Sequence, residues 1–297
     1  MVNVLNALSI DVEEYFQVEA FAKAVTFSDW SKYPLRVEKN TYEILNLLEK
    51  ENVKATFFCV AWIADKFPSL IRQIASFGHE IASHGYTHRP VFRLTPEEFR
   101  REVRKSKKIL EDISGKEVLG FRAPTYSITK KNLWALTILK EEGYRYDSSI
   151  FPIRHDLYGF PEAPRYPFLI EDLGLLEFPI STFRFAGINL PVSGGGYFRL
   201  FPYALTRYFL SKINISQKPF VFYCHPWEFD PDQPRIKGIP LKSRFRHYFN
   251  LNKTKERFER LLKDFSFGPL KIVLENLEGI RSFSLEDLQR GSKDGRD

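Results

Sequence analysis

Residues 79–122 read HEIASHGYTHRPVFRLTPEEFRREVRKSKKILEDISGKEVLGFR, which is a complete strand–helix–strand unit. The run HEIAS (79–83) predicts a strand. Over 95–114, Thr95 is placed as N-cap, Pro96 at N1 and Glu98 at N3, and Phe99, Val103, Ser106, Leu110 and Ile113 recur on one helical face. Gly115 ends that helix, and VLGF (118–121) predicts the next strand. The same alternation continues outward, with strands at NALSI (6–10), KATFFCV (54–60), YRYDSS (144–149), LLEFPIS (175–181) and PFVFYC (219–224), and helices over 35–50, 65–77 and 129–142. Seven strands alternating with helices predict a parallel sheet covered by helices. An open doubly wound sheet and a closed barrel both satisfy that pattern. The polar residues separate them: Asp11 follows the first strand, His84 the third, Arg122 the fourth and His225 the seventh, while Asp147 ends the fifth. Charged or titratable groups at five strand ends on one edge suit the carboxyl face of a barrel; an open sheet gathers its site at a switch point from fewer strands. The expected fold is α/β, an irregular, TIM-barrel-like (β/α)7 barrel.

With 297 residues, 43% of them hydrophobic, and no linker dividing the chain into comparable halves, one catalytic domain with a C-terminal extension is expected. The stretch MVNVLNALSIDVEEYF lacks a basic leading region and meets Asp11, Glu13 and Glu14 early, which does not suit a secretory signal. No run reaches the roughly 18 apolar residues of a transmembrane helix. Cys59 and Cys224 lie inside apolar runs and read as buried free thiols. Together these predict a cytoplasmic, reducing setting. The net charge is +7, and Arg235, Lys237, Lys242, Arg244, Arg246, Lys253, Lys255, Arg257, Arg260 and Lys263 crowd one segment. That segment could draw an acidic glycan, a sugar diphosphate or an anionic membrane surface, or be a solvated basic face broken by Glu256, Glu259 and Asp264. No nucleic-acid motif accompanies it. The sequence leaves the oligomeric state open.

His84-Gly-Tyr-Thr-His88 spaces two imidazoles so that both can reach one Zn²⁺-like ion. A catalytic site of that kind usually adds a carboxylate and keeps room for water. Asp11-Val12-Glu13-Glu14 can supply it: in an extended segment Asp11 and Glu13 face the same side, so that one can bind metal and the other face the water. Arg122, directly after an apolar strand, requires a carboxylate partner, and Asp11 is the candidate. His225 follows the most apolar strand, with Pro226 and Trp227 shaping the loop behind it, and Asp147 is the carboxylate that could hold it protonated. Tyr126, Tyr158, Tyr197, Phe198 and Trp227 could stack on sugar rings. Gly194-Gly195-Gly196 could bring backbone close to a substrate or simply turn the chain.

The ordered set Asp11 with Glu13, His84-x-x-x-His88, Arg122-Ala123-Pro124, Asp147 and His225 resembles the polysaccharide deacetylases with a NodB-homology domain, carbohydrate esterase family 4, over about residues 5–228. GFRAPTYSIT (120–129), YDSSIFPIRHDLYG (146–159), GGGYFRLFPY (194–203) and FYCHPWEFDPDQPR (222–235) look closer still to the subfamily associated with bacterial exopolysaccharide and exosortase (PEP-CTERM) systems, which carries a C-terminal extension. The resemblance implies a catalytic domain over 1–228, an extension over 229–288 packed on the barrel, and a disordered tail over 289–297. It implies hydrolysis of N-acetyl groups on an amino-sugar glycan or its precursor, with one divalent ion, Zn by default and Co or Ni as alternatives. Asp11 would be the general base, Arg122 its partner, His225 the general acid and Asp147 the residue that tunes it. His84, His88 and Glu13 would bind the metal, with Glu14 as the other possible carboxylate. A backbone N–H near Thr125 would face the oxyanion. A small cyclic amide or ureide hydrolase, and an idle glycan-binding protein on the same fold, are the competing expectations.

Overall fold

The computed structural model describes residues 4–155 and 158–291. Its strands are β1 (Asn6–Val12), β2 (Thr56–Cys59), β3 (Glu80–Ser83), β4 (Gly120–Phe121), β5 (Tyr146–Asp147), β6 (Phe168–Ile170), β7 (Leu175–Glu177), β8 (Thr182–Phe185), β9 (Ile188–Pro191), β10 (Val221–Cys224), β11 (Phe267–Gly268) and β12 (Arg281–Phe283). The helices are α1 (Val37–Lys50), α2 (Ala61–Lys66), α3 (Pro68–Ser76), α4 (Pro96–Ser114), α5 (Trp134–Glu141), α6 (Gly195–Leu200), α7 (Tyr203–Ile215), α8 (Leu241–Tyr248), α9 (Thr254–Asp264), α10 (Leu270–Glu275) and α11 (Leu285–Arg290).

A sheet buried under helices on both faces needs strands that are apolar on both faces, and β1 is buried at all seven positions. It lies between β10 and β2, both parallel to it. The ladder continues in parallel through β3, β4, β5 and β7, then to antiparallel β6 and to β12. The α/β class and parallel alternation match the sequence expectation. The regular ladder is linear, running from β10 to β12, with β11 added beside β1. Between β7 and β10 the chain leaves the sheet as the β8–β9 hairpin, and irregular backbone spans the gap. There Val221 N–H donates to Ser181 Oγ and Tyr223 N–H to Ser193 O, both at 2.9 Å, while Gly194 pairs in parallel with Tyr223. Gly194 has φ 142°, and a Cβ there would lie 2.0 Å from Tyr223 O, so only glycine permits this approach.

Helix α4 forms as its pattern predicts: Thr95 and Glu98 make the reciprocal capping box, Gly115 closes the end at φ 65°, and Phe99, Val103, Ser106 and Leu110 are buried. The expected 65–77 helix is instead two helices, α2 and α3. Pro68 lacks an N–H and disfavours helical backbone at Phe67, so the chain breaks there. β6, β8, β9, β11 and β12 were not foreseen; each has only two to four residues and little periodicity. The C-terminal chain is woven into the sheet through β11 and β12. Of the expected disordered tail, Gln289 and Arg290 belong to α11, and residues 292–297 lie outside the described residues. Cys59 and Cys224 are buried free thiols. Among the described residues no helix is long and apolar enough to cross a membrane.

Candidate active site

The carboxyl ends of the parallel strands bring Asp11, Glu13, His84, His88, Thr125, Tyr126, His225 and Trp227 to one cavity of about 350 Å³. At the end of β1 the side chains alternate in direction. Asp11 and Glu13 enter the cavity. Glu14 turns away and its Oε1 accepts from the backbone N–H groups of Arg36 and Val37, capping the start of α1. Glu14 is therefore removed as a metal ligand: its acceptor capacity serves the open N-terminus of a helix.

Arg122 is fully buried and makes four hydrogen bonds, to Asp11 Oδ1 (2.7 Å), Ser9 Oγ (2.7 Å), Ser148 O (3.1 Å) and Ser148 Oγ (2.9 Å). Its guanidinium gives the buried Asp11 a counter-charge, and it lies 4.1 Å from the Phe58 ring centroid. The Tyr126 hydroxyl donates to Asp11 Oδ2 at 3.4 Å.

The two histidines are oriented by carbonyls. His84 Nδ1 faces Arg122 O at 2.7 Å and His88 Nδ1 faces Gln17 O at 2.9 Å. A carbonyl only accepts, so each ring carries its proton on Nδ1, and in the neutral ring Nε2 is a bare lone pair. Burial pushes the His84 pKa down to about 4, against the opposing pull of Asp11. His88 Nε2 is 2.6 Å from Glu13 Oε2 and His84 Nε2 is 3.8 Å from it. Yet His88 Nε2 has no hydrogen-bond partner among the described residues. Glu13, opposed by burial but favoured by His88 and His225, is held far below the usual carboxylate range. Two imidazole lone pairs and an ionised carboxylate converging on one point suit a divalent cation, and this trio lies within 4.8 Å in mutual ligand distance.

On the opposite wall, His225 Nε2 lies 3.9 Å from Asp11 Oδ2 and 3.8 Å from Glu13 Oε1. Its Nδ1 meets Glu228 Oε2 at 2.9 Å. Burial disfavours the charged ring, but Glu13, Glu228 and Asp11 outweigh it and raise the pKa to about 9. Glu228 also accepts from Arg199 Nε at 2.7 Å, and its pKa falls to about 2 because Arg199 and His225 overcome burial. Arg199 in turn donates to the carbonyls of His247 and Phe249.

Several expectations need correction. The carboxylate on His225 is Glu228, not Asp147. Asp147 accepts from Ser149 Oγ and faces Glu177, where burial raises its pKa to about 6. Pleating turns the last residue of β5 toward its sheet neighbours, whereas the turn after His225 folds Glu228 back onto the ring. The signal was present: His225-Pro-Trp-Glu228 has the spacing of a capping box with proline at N1, and the Glu228 carboxylate accepts from the His225 backbone N–H at 3.0 Å. Trp227 offers no ring to a sugar. It is 5% exposed, stacks on both His225 and His247, and donates its indole N–H to Glu13 Oε1 at 2.9 Å. Tyr197 lies outside the cavity lining and packs near Phe201, because α6 begins at Gly195 and carries it away. Phe198 is buried against Phe222. Tyr126 and Tyr158 do line the cavity, as does Thr125, which holds φ 61°. Lys242, Ser243, Arg246 and His247 complete the wall from the C-terminal region.

Residues 19–146 match the polysaccharide deacetylase family model. The chain carries a polysaccharide deacetylase domain. Residues 148–275 match a domain of unknown function, DUF3473. That second region supplies His225, Trp227, Glu228, Arg199 and the α8 wall, so the cavity is built from both matched regions. The chain is 36% identical over 96 residues to a peptidoglycan-N-acetylglucosamine deacetylase of Bacillus cereus, covering 32% of this chain and 35% of that protein. It is 29% identical over 107 residues to a peptidoglycan deacetylase of Helicobacter pylori, covering 36% of each. The chain thus spans about a third of the length of these curated relatives. A solved structure from Mycobacterium smegmatis, named for the polysaccharide deacetylases, superposes with TM-score 0.59 at 20% identity, covering 95% of this chain and 94% of that one. It shares the fold.

Proposed function

We propose that the protein is a divalent-metal-dependent hydrolase that removes N-acetyl groups from amino sugars of a glycan or glycan precursor. One observation carries this reading. The acceptor cluster Glu13, His84 and His88 opens into the same cavity as a carboxylate with a buried counter-charge, Asp11, and an imidazole held by a carboxylate, His225. The deacetylase names of the relatives agree with it.

Glu13, His84 and His88 would hold the ion, Zn by the nature of the donor set, with Co or Ni able to replace it. When bound, it supplies Lewis acidity to the acetamide carbonyl and to water. Asp11 takes the proton from the attacking water; Arg122 and Tyr126 fix the carboxylate so that Oδ2 faces the cavity. The backbone N–H near Thr125 is assigned to the developing oxyanion. His225 Nε2 delivers a proton to the departing amine, while Glu228 on Nδ1 fixes the ring and balances its charge. Glu228 thus takes the positioning role first expected of Asp147. Tyr158 lines the cavity wall with its ring stacked on His155.

The test is acetate release from a panel of N-acetylated oligosaccharides, after chelation and again after adding Zn²⁺ or Co²⁺. Metal-dependent release abolished by Asp11→Ala is the expected result. A tightly held metal with no release from any sugar would replace this reading with hydrolysis of a small cyclic amide, and neither metal nor release with an idle fold.

A further inference from the structure

Nine of the ten cations of the basic segment, all but Lys253, divide into two groups. Toward its end, Lys255 pairs with Glu43 at 2.8 Å, Lys263 reaches Glu51 at 3.8 Å, Arg257 donates to the carbonyls of Phe198, Arg199 and Phe201, and Arg260 lies over Tyr203. At its start Arg235 lies over the Tyr248 ring, 4.1 Å from its centroid, and no carboxylate takes part. Arg235, Lys237, Lys242, Arg244 and Arg246 have no carboxylate within 4 Å among the described residues, and the sequence from Gln233 to Lys255 contains no acidic residue. Their fields therefore add, Lys242 and Arg246 beside the catalytic cavity and Arg235, Lys237 and Arg244 outside its lining.

Helix α8 places apolar side chains among these charges. Leu241 is 81% exposed and Phe245, one turn later, 56% exposed. With Arg235, Arg244, Tyr248 and Phe249 they line a surface groove of about 480 Å³. The other face of the same helix, Lys242, Ser243, Arg246 and His247, walls the candidate active site. A water-exposed leucine and phenylalanine on one stripe cost hydrophobic free energy, and flanking them with arginine and lysine that have no carboxylate partner matches a surface with an apolar interior and anionic headgroups.

We propose that α8 and the loop before it dock the protein on an anionic phospholipid membrane, with Leu241 and Phe245 entering the acyl boundary and Arg235, Lys237 and Arg244 meeting lipid phosphates. One helix would then form both the membrane-facing groove and a wall of the catalytic cavity, setting that cavity beside the bilayer surface. This inference is independent of the reaction the cavity performs.

The experiment is co-sedimentation of the full chain with vesicles of phosphatidylcholine alone and of equal parts phosphatidylcholine and phosphatidylglycerol, at low and high salt. Binding to the anionic vesicles only, weakened by salt, is expected. Leu241→Ser with Phe245→Ser should weaken it by about tenfold or more, and Lys237→Gln or Arg244→Gln by about fivefold each. All four residues are exposed and outside the catalytic cavity, so thermal melts should be unchanged. Equal binding to both vesicle types, no binding to either, or undiminished binding by the serine variant would overturn the proposal. A dimer in light scattering that the serine variant abolishes would instead assign the groove to a second copy of the chain.

Discussion

Glu228→Gln tests whether one buried ion pair couples the C-terminal region to the catalytic wall. Glu228 is 1% exposed and Arg199 is 2% exposed, and the pair meets at 2.7 Å. Glutamine keeps the shape but leaves the guanidinium without its counter-charge. Neutralising one partner of a buried pair costs about 3–5 kcal/mol. Arg199 would retain its two bonds to the carbonyls of His247 and Phe249, both 2.8 Å, which argues for the lower end. Unfolding entropy near 2 cal/mol/K per residue gives about 0.6 kcal/mol/K for a chain of this length, so a loss of about 3 kcal/mol lowers Tm by about 5 °C. Calorimetry of Glu228→Gln, Arg199→Met and the double variant measures the coupling. The double variant, with no guanidinium stranded, should recover at least half of the loss. A Tm change below about 1 °C, or strictly additive effects, would refute the buried-pair reasoning. His225 would also lose one of the three carboxylates that raise its pKa, so any activity assigned to its protonated ring should lose its alkaline limb at lower pH.

Three other outcomes are expected. His88→Ala should fall well below one equivalent of bound metal by elemental analysis, whereas His225→Ala should keep its metal and lose about 10²-fold or more in kcat; the reverse pattern would exchange their roles. Asp147 is fully buried with its pKa raised to about 6, chiefly by burial, above the ordinary 3.8. Glu177, which it faces, is raised further by burial and by Asp147 itself, so the fold favours a protonated pair, with a benefit fully present below about pH 4 and lost as pH rises through about 6 and above. Urea titrations should show that decline, and Asp147→Asn combined with Glu177→Gln should flatten it; an unchanged slope would mean the pair is not held protonated. Gly194→Ala should destabilise by about 2 kcal/mol or more, since a Cβ would meet Tyr223 O and the backbone is left-handed at φ 142°; a neutral result in urea unfolding would deny the close approach.

Much of the candidate site is legible before any coordinates. Asp11, His84, Arg122 and His225 follow apolar strands, and parallel strands deliver such residues to one edge regardless of how helices pack behind them. The spacing of His84 and His88, and the alternation that puts Asp11 and Glu13 on one side and Glu14 on the other, are local geometry. The cap, proline and glycine of α4 likewise act within a few residues.

Other assignments depend on contacts between distant segments. Asp147 and Glu228 are both acids near strand ends. Which one reaches His225 depends on side-chain direction and on Arg199 arriving from α6 to neutralise Glu228. Trp227 reads as an exposed aromatic until His247, twenty residues later, lies on it. The closing of the gap beside β10 rests on Ser181, Ser193 and Gly194, whose roles exist only because the β8–β9 hairpin leaves the sheet. The basic segment divides into paired and unpaired cations according to whether Glu43 and Glu51 of the α1 region come within reach. By itself the sequence determined the strand–helix alternation and the edge where chemistry gathers, because period and capping are short-range. Only the tertiary structure decided which buried charges pair, because that depends on which distant groups share a site from which water has been removed.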